Sequence, residues 1–389
     1  MEPLMDMKYV LLIILSLLFT LGSADIYVTQ FGTKADGKSD DSEAFTKAWN
    51  SACNSDNSIT LQVPAGNYLL YPTTFGGPCK SKKITINLEG NLLASADINK
   101  VEDESWLRFE NVEGLEINGG VLDGKGARYW LCKEDGGDCH VGAKSLVFNK
   151  CKNVRVNNLT SMNSKMFHIV LDESEGVRVY GLKVRAPANS LNTDGIHVEG
   201  SSDVLIIDAN IQTGDDCISI GPGTHDMWVE QVTCGPGHGI SIGSLGQYLD
   251  EPGVQNVTVK NVVFHGTTNG LRIKTWARKS NGFVKEIVFD GVVMNDVENP
   301  IIIDQNYCPH GQDCPDQISG VQISGVTYKN VTGTSTTEVA MTFDCSASNP
   351  CREIELEDVD LTYKYQKAQA SCIYAEGTAA GVVTPPSCL

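Results

Sequence analysis

The sequence predicts a single right-handed parallel β-helix, on two observations. A short alternating strand phrase recurs every few dozen residues, and a second phrase between those strands aligns position by position. The first reads apolar, any, apolar. It occurs as Leu115-Glu-Ile117, Val154-Arg-Val156, Val177-Arg-Val179, Val204-Leu-Ile206, Met227-Trp-Val229, Val257-Thr-Val259, Ile287-Val-Phe289, Val321-Gln-Ile323 and Ile354-Glu-Leu356. After a first interval of 39 residues, the spacings run from 23 to 34. A strand repeated at such a period, with Asn and Gly between copies, is how a chain coils into stacked rungs.

The second phrase gives Asp194-Gly-Ile-His-Val, Asp216-Cys-Ile-Ser-Ile, His238-Gly-Ile-Ser-Ile, Asn269-Gly-Leu-Arg-Ile and Asn299-Pro-Ile-Ile-Ile, starting 22, 22, 31 and 30 residues apart. The third and fifth positions are always aliphatic. Strand alternation turns them inward and sends the second and fourth outward. The inward stacks form one solenoid core, and parallel crossovers in one sheet are right-handed.

A doubly wound α/β fold would need helices of ten or more residues between the strands, but Gly, Asn, Asp and Thr lie there instead. One short helical segment, Asp40 to Ala52, with Asp40-Asp41-Ser42 as N-cap, would cover the open N-terminal end of the stack. No linker interrupts the pattern, so residues 25–389 are expected to form one domain.

Residues 1–24 read as a secretory leader. Lys8 precedes an apolar run from Tyr9 to Leu21, and Gly22-Ser23-Ala24 supplies small residues for cleavage. The run falls short of the roughly 20 residues a membrane span needs. Thirteen cysteines follow, with close pairs at Cys132 and Cys139, Cys308 and Cys314, Cys345 and Cys351, and Cys372 and Cys388. In a secreted chain these suggest local disulfides rather than a metal site, and the odd count leaves one thiol over, for which Cys151 is the candidate. Asn158, Asn256 and Asn330 head glycosylation triplets that fit the same compartment. The net charge of −18 argues against nucleic acid and anionic membranes as partners. It also repels a polyanion at long range, so any site for an acidic sugar must carry its own cations.

The alignment supplies them. Equivalent positions on neighbouring rungs lie roughly 4.8 Å apart, which places Asp194, Asp216 and His238 in one column with Asp215 beside Asp216. Arg272 falls in the outward column of His197, Ser219 and Ser241, and Lys274 lies two residues on. An isolated Asp in a turn commonly caps backbone amides. Three like charges crowded together instead destabilise a fold and raise one another's pKa, so the cluster points to function. Paired carboxylates are what glycoside hydrolysis requires, one donating a proton to the leaving oxygen and another activating water or attacking the sugar. Arg272 and Lys274 suit a sugar carboxylate.

The runs Asn192-Thr193-Asp194, Gly214-Asp215-Asp216, Gly237-His238-Gly239 and Arg272-Ile273-Lys274, in this order and spacing, resemble the four signature motifs of the polygalacturonase family, glycoside hydrolase family 28. The likeness runs from Tyr27-Val-Thr-Gln-Phe-Gly to the closing cysteines and is greatest to plant exopolygalacturonases of the pollen type. It implies a secreted, monomeric, cell-wall enzyme without metal or cofactor. Such an enzyme would hydrolyse α-1,4-galacturonosyl links of pectin from a pectin-lyase-like solenoid, from the chain end and with inversion. In these terms Asp215 is the general acid, Asp194 and Asp216 hold and activate water, and His238 tunes Asp215. Arg272, Lys274 and Tyr307 would bind substrate, and a Cys217–Cys234 bridge would brace the central rungs. A column spacing near 5 Å is what carboxylate separation assigns to retaining enzymes, in tension with the inversion that the resemblance implies. The rivals are an endo-acting enzyme, a rhamnogalacturonan hydrolase, a calcium-dependent pectate lyase, and a pectin-binding wall protein without turnover.

Overall fold

The computed structural model describes residues 24–97, 104–309, 311–312 and 314–389; apart from Ala24, the expected leader lies outside them. The described chain winds as a parallel β-helix. One face is an eleven-stranded sheet with one strand per rung, from Thr73–Gly76 through Ile196–Glu199, Ile218–Ile220, Ile240–Leu245, Asn269–Trp276 and Asn299–Tyr307 to Gln369–Ile373. The other strands form a twenty-stranded sheet system whose long members, such as Ser202–Gln212 and Val254–His265, run around a corner. All these pairings are parallel except the hairpin at Thr362–Lys367.

Alternation drives the coil. Ile196, Ile218, Ile240, Leu271 and Ile301 pair in register across five rungs and are wholly buried, as are Val198, Ile220, Ile242, Ile273 and Ile303. Each such side chain contributes roughly 1.5–3 kcal/mol on burial. This register is the alignment read from the second phrase.

The corners explain the Asn and Gly between strands. Asn158, Gly181, Asp208, Gln231, Asn261, Gly291, Asn330 and Asp358 all have φ between 51° and 71°. Successive ones skip the same step of the ladder, for example between Ile207↔Glu230 and Ala209↔Val232. Asn and Gly tolerate this left-handed conformation. Asn158 and Asn330 sit in this column and Asn256 in a second one, with all three side chains exposed.

The first phrase needs two corrections. The partner of Ile287 is Val326, not Val321, so the eighth strand core is Val326-Thr-Tyr328. Two alternating phrases lie five residues apart there, and packing selects the one that stacks Tyr328 on Phe289, with ring centroids 5.2 Å apart. The coil also begins earlier, because Ile59 and Ile84 precede Leu115 in the same column.

The expected capping helix spans Ser42–Cys53 and buries Phe45, Ala48, Trp49, Ala52 and Cys53 against the first rungs. Its predicted N-cap is corrected. Asp41 occupies that position, but its carboxylate accepts from the Lys34 and Ala35 amides instead of the helix, while Asp40 accepts from Ser42. A Cys53–Cys79 disulfide staples the helix to the coil. That pair was not foreseen, because its partners lie 26 residues apart. The four close pairs and Cys217–Cys234 are bridged as expected, and Cys151 is the free, buried thiol.

Under the helix, Phe109 stacks between Phe75 and Phe148 at 4.9 and 5.6 Å and meets Trp49 edge-on at 5.3 Å. Phe109→Ala is expected to cost about 3–5 kcal/mol, read as a lowered urea midpoint with the disulfides intact.

Candidate active site

The site lies where loops enter the strands of the eleven-stranded sheet. Asp194 precedes Ile196–Glu199, Asp215 and Asp216 precede Ile218–Ile220, and His238 precedes Ile240–Leu245. Arg272 and Lys274 project from Asn269–Trp276 one rung further on. The loops are held from behind. Thr193 is fully buried and accepts from the Gly214 amide at 3.0 Å, and Cys217, the residue after Asp216, is bridged to Cys234. Gly239 has φ 88°, and a Cβ there would sit 2.1 Å from the Asn269 carbonyl, so only glycine allows His238 to approach.

Three predicted groups and Ser241 form one hydrogen-bonded body. Asp216 is almost wholly buried. Its Oδ1 accepts from Arg272 at 2.7 Å and from the Ser241 hydroxyl at 2.7 Å, and its Oδ2 accepts from Lys274 at 2.8 Å. Arg272 also donates to Ser241 at 2.9 Å. Burial alone would raise the Asp216 pKa, but the charges of Lys274 and Arg272 overcome it and pull it down to about 2.

Asp215 is arranged differently. Oδ1 meets His238 Nδ1 at 3.0 Å and the Asp216 amide at 2.8 Å, while Oδ2 accepts from the Asn192 amide and side chain at 3.1 and 3.3 Å. Its side chain is 16% exposed against 1% for Asp216, so it is the carboxyl that faces the open side. Asp194 is buried, and its pKa is raised well above 3.8 by that burial and by the charges of Asp215 and Asp216, against weaker opposition from Ser219 and Lys274. Three neighbouring acids therefore sit in three distinct environments, the usual mark of assigned proton roles.

Tyr307 lies with its ring 5.3 Å from the Lys274 ammonium and 5.3 Å from the Trp276 ring, so it joins the cationic wall rather than the acids. Asp215, Asp216 and His238 offer ligand atoms within 4.8 Å of one another. Both Asp216 oxygens are already engaged by cations, so a divalent ion would have to displace Arg272 or Lys274.

Two contributors went unremarked in the sequence. Asn192, although inside a quoted motif, holds Asp215 directly. Asp304 pairs in register with Lys274, and its carboxyl is raised by burial. It is the sixth position of its aligned phrase, one beyond the five compared, so extending the alignment finds it.

Beside Asn192 lies an open cavity of about 550 Å³. It is lined by Tyr129, Trp130 and Lys133 of the short helix Ala127–Glu134, together with Lys165, Met166 and Leu191. The Cys132–Cys139 bridge ties that helix to the loop that follows it.

The ion pairs set two expectations. Asp216→Asn leaves two nearly buried cations without their anion and is expected to cost about 3–5 kcal/mol. The depressed Asp216 pKa stabilises the fold fully above the ordinary value of 3.8 and is lost as pH falls toward 2. Asp194 has the opposite sign: its raised pKa penalises the folded state increasingly as pH rises from 3.8 through the folded value. Asp194→Asn is therefore expected to raise Tm at pH 7 and to leave it unchanged near pH 3.5, as differential scanning calorimetry at both pH values would show.

Comparison with known proteins agrees with this architecture. A polygalacturonase of Prunus persica is 54% identical over 364 residues, covering 93% of both chains. An exopolygalacturonase of Platanus acerifolia is 41% identical, covering 92% of this chain and 96% of its own. The crystal structure of an endo-xylogalacturonan hydrolase from Aspergillus tubingensis shares the fold, with a TM-score of 0.80 at 22% identity over 92% of this chain and 99% of that one. The family described as glycosyl hydrolases family 28 matches residues 53–382. With its β-helix and its cluster of acids and cations, the chain belongs to glycosyl hydrolases family 28.

Proposed function

We propose that this protein hydrolyses α-1,4-galacturonosyl linkages of polygalacturonate, the acidic backbone of pectin, from a chain end and with inversion. The carrying observation is the juxtaposition of Asp215, the one acid turned to the open side, with a buried cationic pair that a neutral sugar would not need. Named relatives act in the same sense: polygalacturonase in Prunus persica and exopolygalacturonase in Platanus acerifolia.

In this reading Asp215 gives its proton to the glycosidic oxygen, and His238, hydrogen-bonded to it at 3.0 Å, tunes that transfer. Asp194 and Asp216, on adjacent rungs, share the attacking water on the opposite face of the ring. Shared water between two acids is how inversion fits a crowded cluster, since the water rather than a carboxylate meets the anomeric carbon. Arg272, Lys274 and Tyr307 hold the galacturonate carboxylate, with Asp216 as their ligand-free partner.

End-on cleavage is supported by the cavity beside Asn192, one wall of which is formed by the helix Ala127–Glu134. At about 550 Å³ it is of a size to take a short sugar segment. Secretion to the cell wall is supported by six disulfides, which persist in oxidising compartments. The leader segment completes that proposal, with residues 25–389 as one secreted unit that acts as a monomer.

A product time course on defined galacturonate oligomers, with chelator present, tests the reading. Single galacturonate units of inverted anomeric configuration are expected from the first minutes, and Asp215→Asn is expected to lose about 10²–10⁴-fold in kcat. Mid-length products would make the enzyme endo-acting, and activity only on rhamnogalacturonan would move the substrate. A product with a new double bond, or activity abolished by chelator, would point to a lyase.

A further inference from the structure

Each of the two buried acids is supported by a serine one rung on, at the same sequence offset. Asp216 and Ser241 lie 25 residues apart and are hydrogen-bonded at 2.7 Å. Asp194 and Ser219 are also 25 apart, the equivalent positions one rung earlier, and Ser219 is among the groups that favour the charged form of Asp194. What stands behind each serine differs. Ser241 is held by Arg272 at 2.9 Å, a permanent cation. Ser219 is held by His197 Nδ1 at 2.8 Å, and the far nitrogen of that ring, Nε2, meets Glu199 Oε2 at 3.4 Å. The imidazole lies flat on Phe167 with ring centroids 4.7 Å apart, and Ser219 is buried, so the geometry is enforced from two sides.

We propose that His197, through Ser219, is a proton store for Asp194 and keeps it ionised for water activation; this rests on the hydrolytic reading given above. The hydrogen-bond accounting allows two arrangements with the same number of protons. In one, imidazolium Nδ1–H donates to Ser219 Oγ, whose own hydrogen donates to the Asp194 carboxylate. In the other, the Asp194 carboxyl donates to Ser219 Oγ and the serine hydrogen turns to a neutral Nδ1. Passing from the second to the first breaks the Asp194 O–H and Ser219 O–H bonds, forms a new Ser219 O–H and a His197 N–H, and needs no other reactant. Nε2–H faces Glu199 in both. A base that takes a proton from water is thus restored by passing it to His197, and from there to solvent at the half-exposed Glu199.

Acidic groups surround the ring from several elements. Glu199 lies on its own strand, Asp172 pairs with Glu199 on the preceding strand, and Asp250 and Glu251 of the following loop line the same cavity of about 490 Å³, with Glu173 at its edge. Lys144 is the cation acting on Glu199 from the earlier rung. The arrangement also answers a need that the site creates. Burial and two neighbouring carboxylates push Asp194 toward its neutral form, which cannot act as a base.

The test is the pH profile of kcat/KM on a galacturonate oligomer for the full chain carrying His197→Gln, Ser219→Ala or both. Loss of the imidazolium is expected to move the acidic limb to higher pH by about one unit. Activity below that limb then falls about tenfold, while the plateau KM holds and the double variant adds nothing further. Glu199→Gln, at an exposed carboxylate, is expected to move the limb the same way by less, and carries the test if His197→Gln does not fold. An unmoved limb in the folded variants, or additive losses that follow Tm, would reduce His197 to packing and overturn the proposal. Asp215→Asn separates the two levels. If it is inactive while the His197 variants titrate like wild type, only the relay falls; if it is active, the hydrolytic reading fails and the relay with it.

Discussion

Every functional distance in this molecule descends from the parallel register between successive rungs. A rise of roughly 4.8 Å per rung turns an offset of 22 residues into a neighbour, so Asp194, Asp216 and His238 meet although no local element joins them. The register is enforced by the wholly buried column Ile196, Ile218, Ile240, Leu271 and Ile301. A slip of one residue would turn each of those side chains outward and each catalytic loop away. The same constraint shapes the corners, where a column of left-handed residues lets the chain bend at one place on every turn.

Crowding three carboxylates onto adjacent rungs costs stability, and the protein offsets it unequally. Asp216 is neutralised by Lys274 and Arg272 and stays ionised far into acid. Asp215 meets the open side in the company of His238 and the Asn192 amides. Asp194 has the least charge compensation and bears the penalty of burial. Three neighbouring carboxylates thereby sit in three different electrostatic settings, which is what the proposed division into anchor, proton donor and base draws on. The partners also differ in kind: a guanidinium behind Ser241 cannot titrate, whereas an imidazole behind Ser219 can.

The cations have two tasks. In the free protein Arg272 and Lys274 close on Asp216, and Tyr307 and Trp276 pack beside the lysine. In the proposed reading a sugar carboxylate arriving there joins an existing charge network, with Asp216 already holding both side chains. Such preorganisation limits the ordering cost of binding and explains how a chain of net charge −18 accommodates an acidic polymer.

Much of this was legible in the sequence because β-helix chemistry is periodic. The alternation of the five aligned phrases sufficed for the fold, the register and the placing of Asp194, Asp215, Asp216, His238, Arg272 and Lys274 on one surface. Close cysteine spacing sufficed for four bridges, since short loops restrict the partners. Where the signal was not periodic, the sequence was silent or misleading. Val321 and Val326 both head alternating phrases, and only aromatic packing separates them. Cys53 and Cys79 meet because a helix folds back over the first rung, a contact that no spacing encodes. Side-chain direction was likewise decided by the tertiary structure: that both cations turn onto Asp216, that Asn192 turns onto Asp215, and that Ser219 turns onto His197. The sequence determined which residues share a column, because strand alternation is a property of the chain; which of them touch, and with what charge, depended on burial and on neighbours brought in from other rungs.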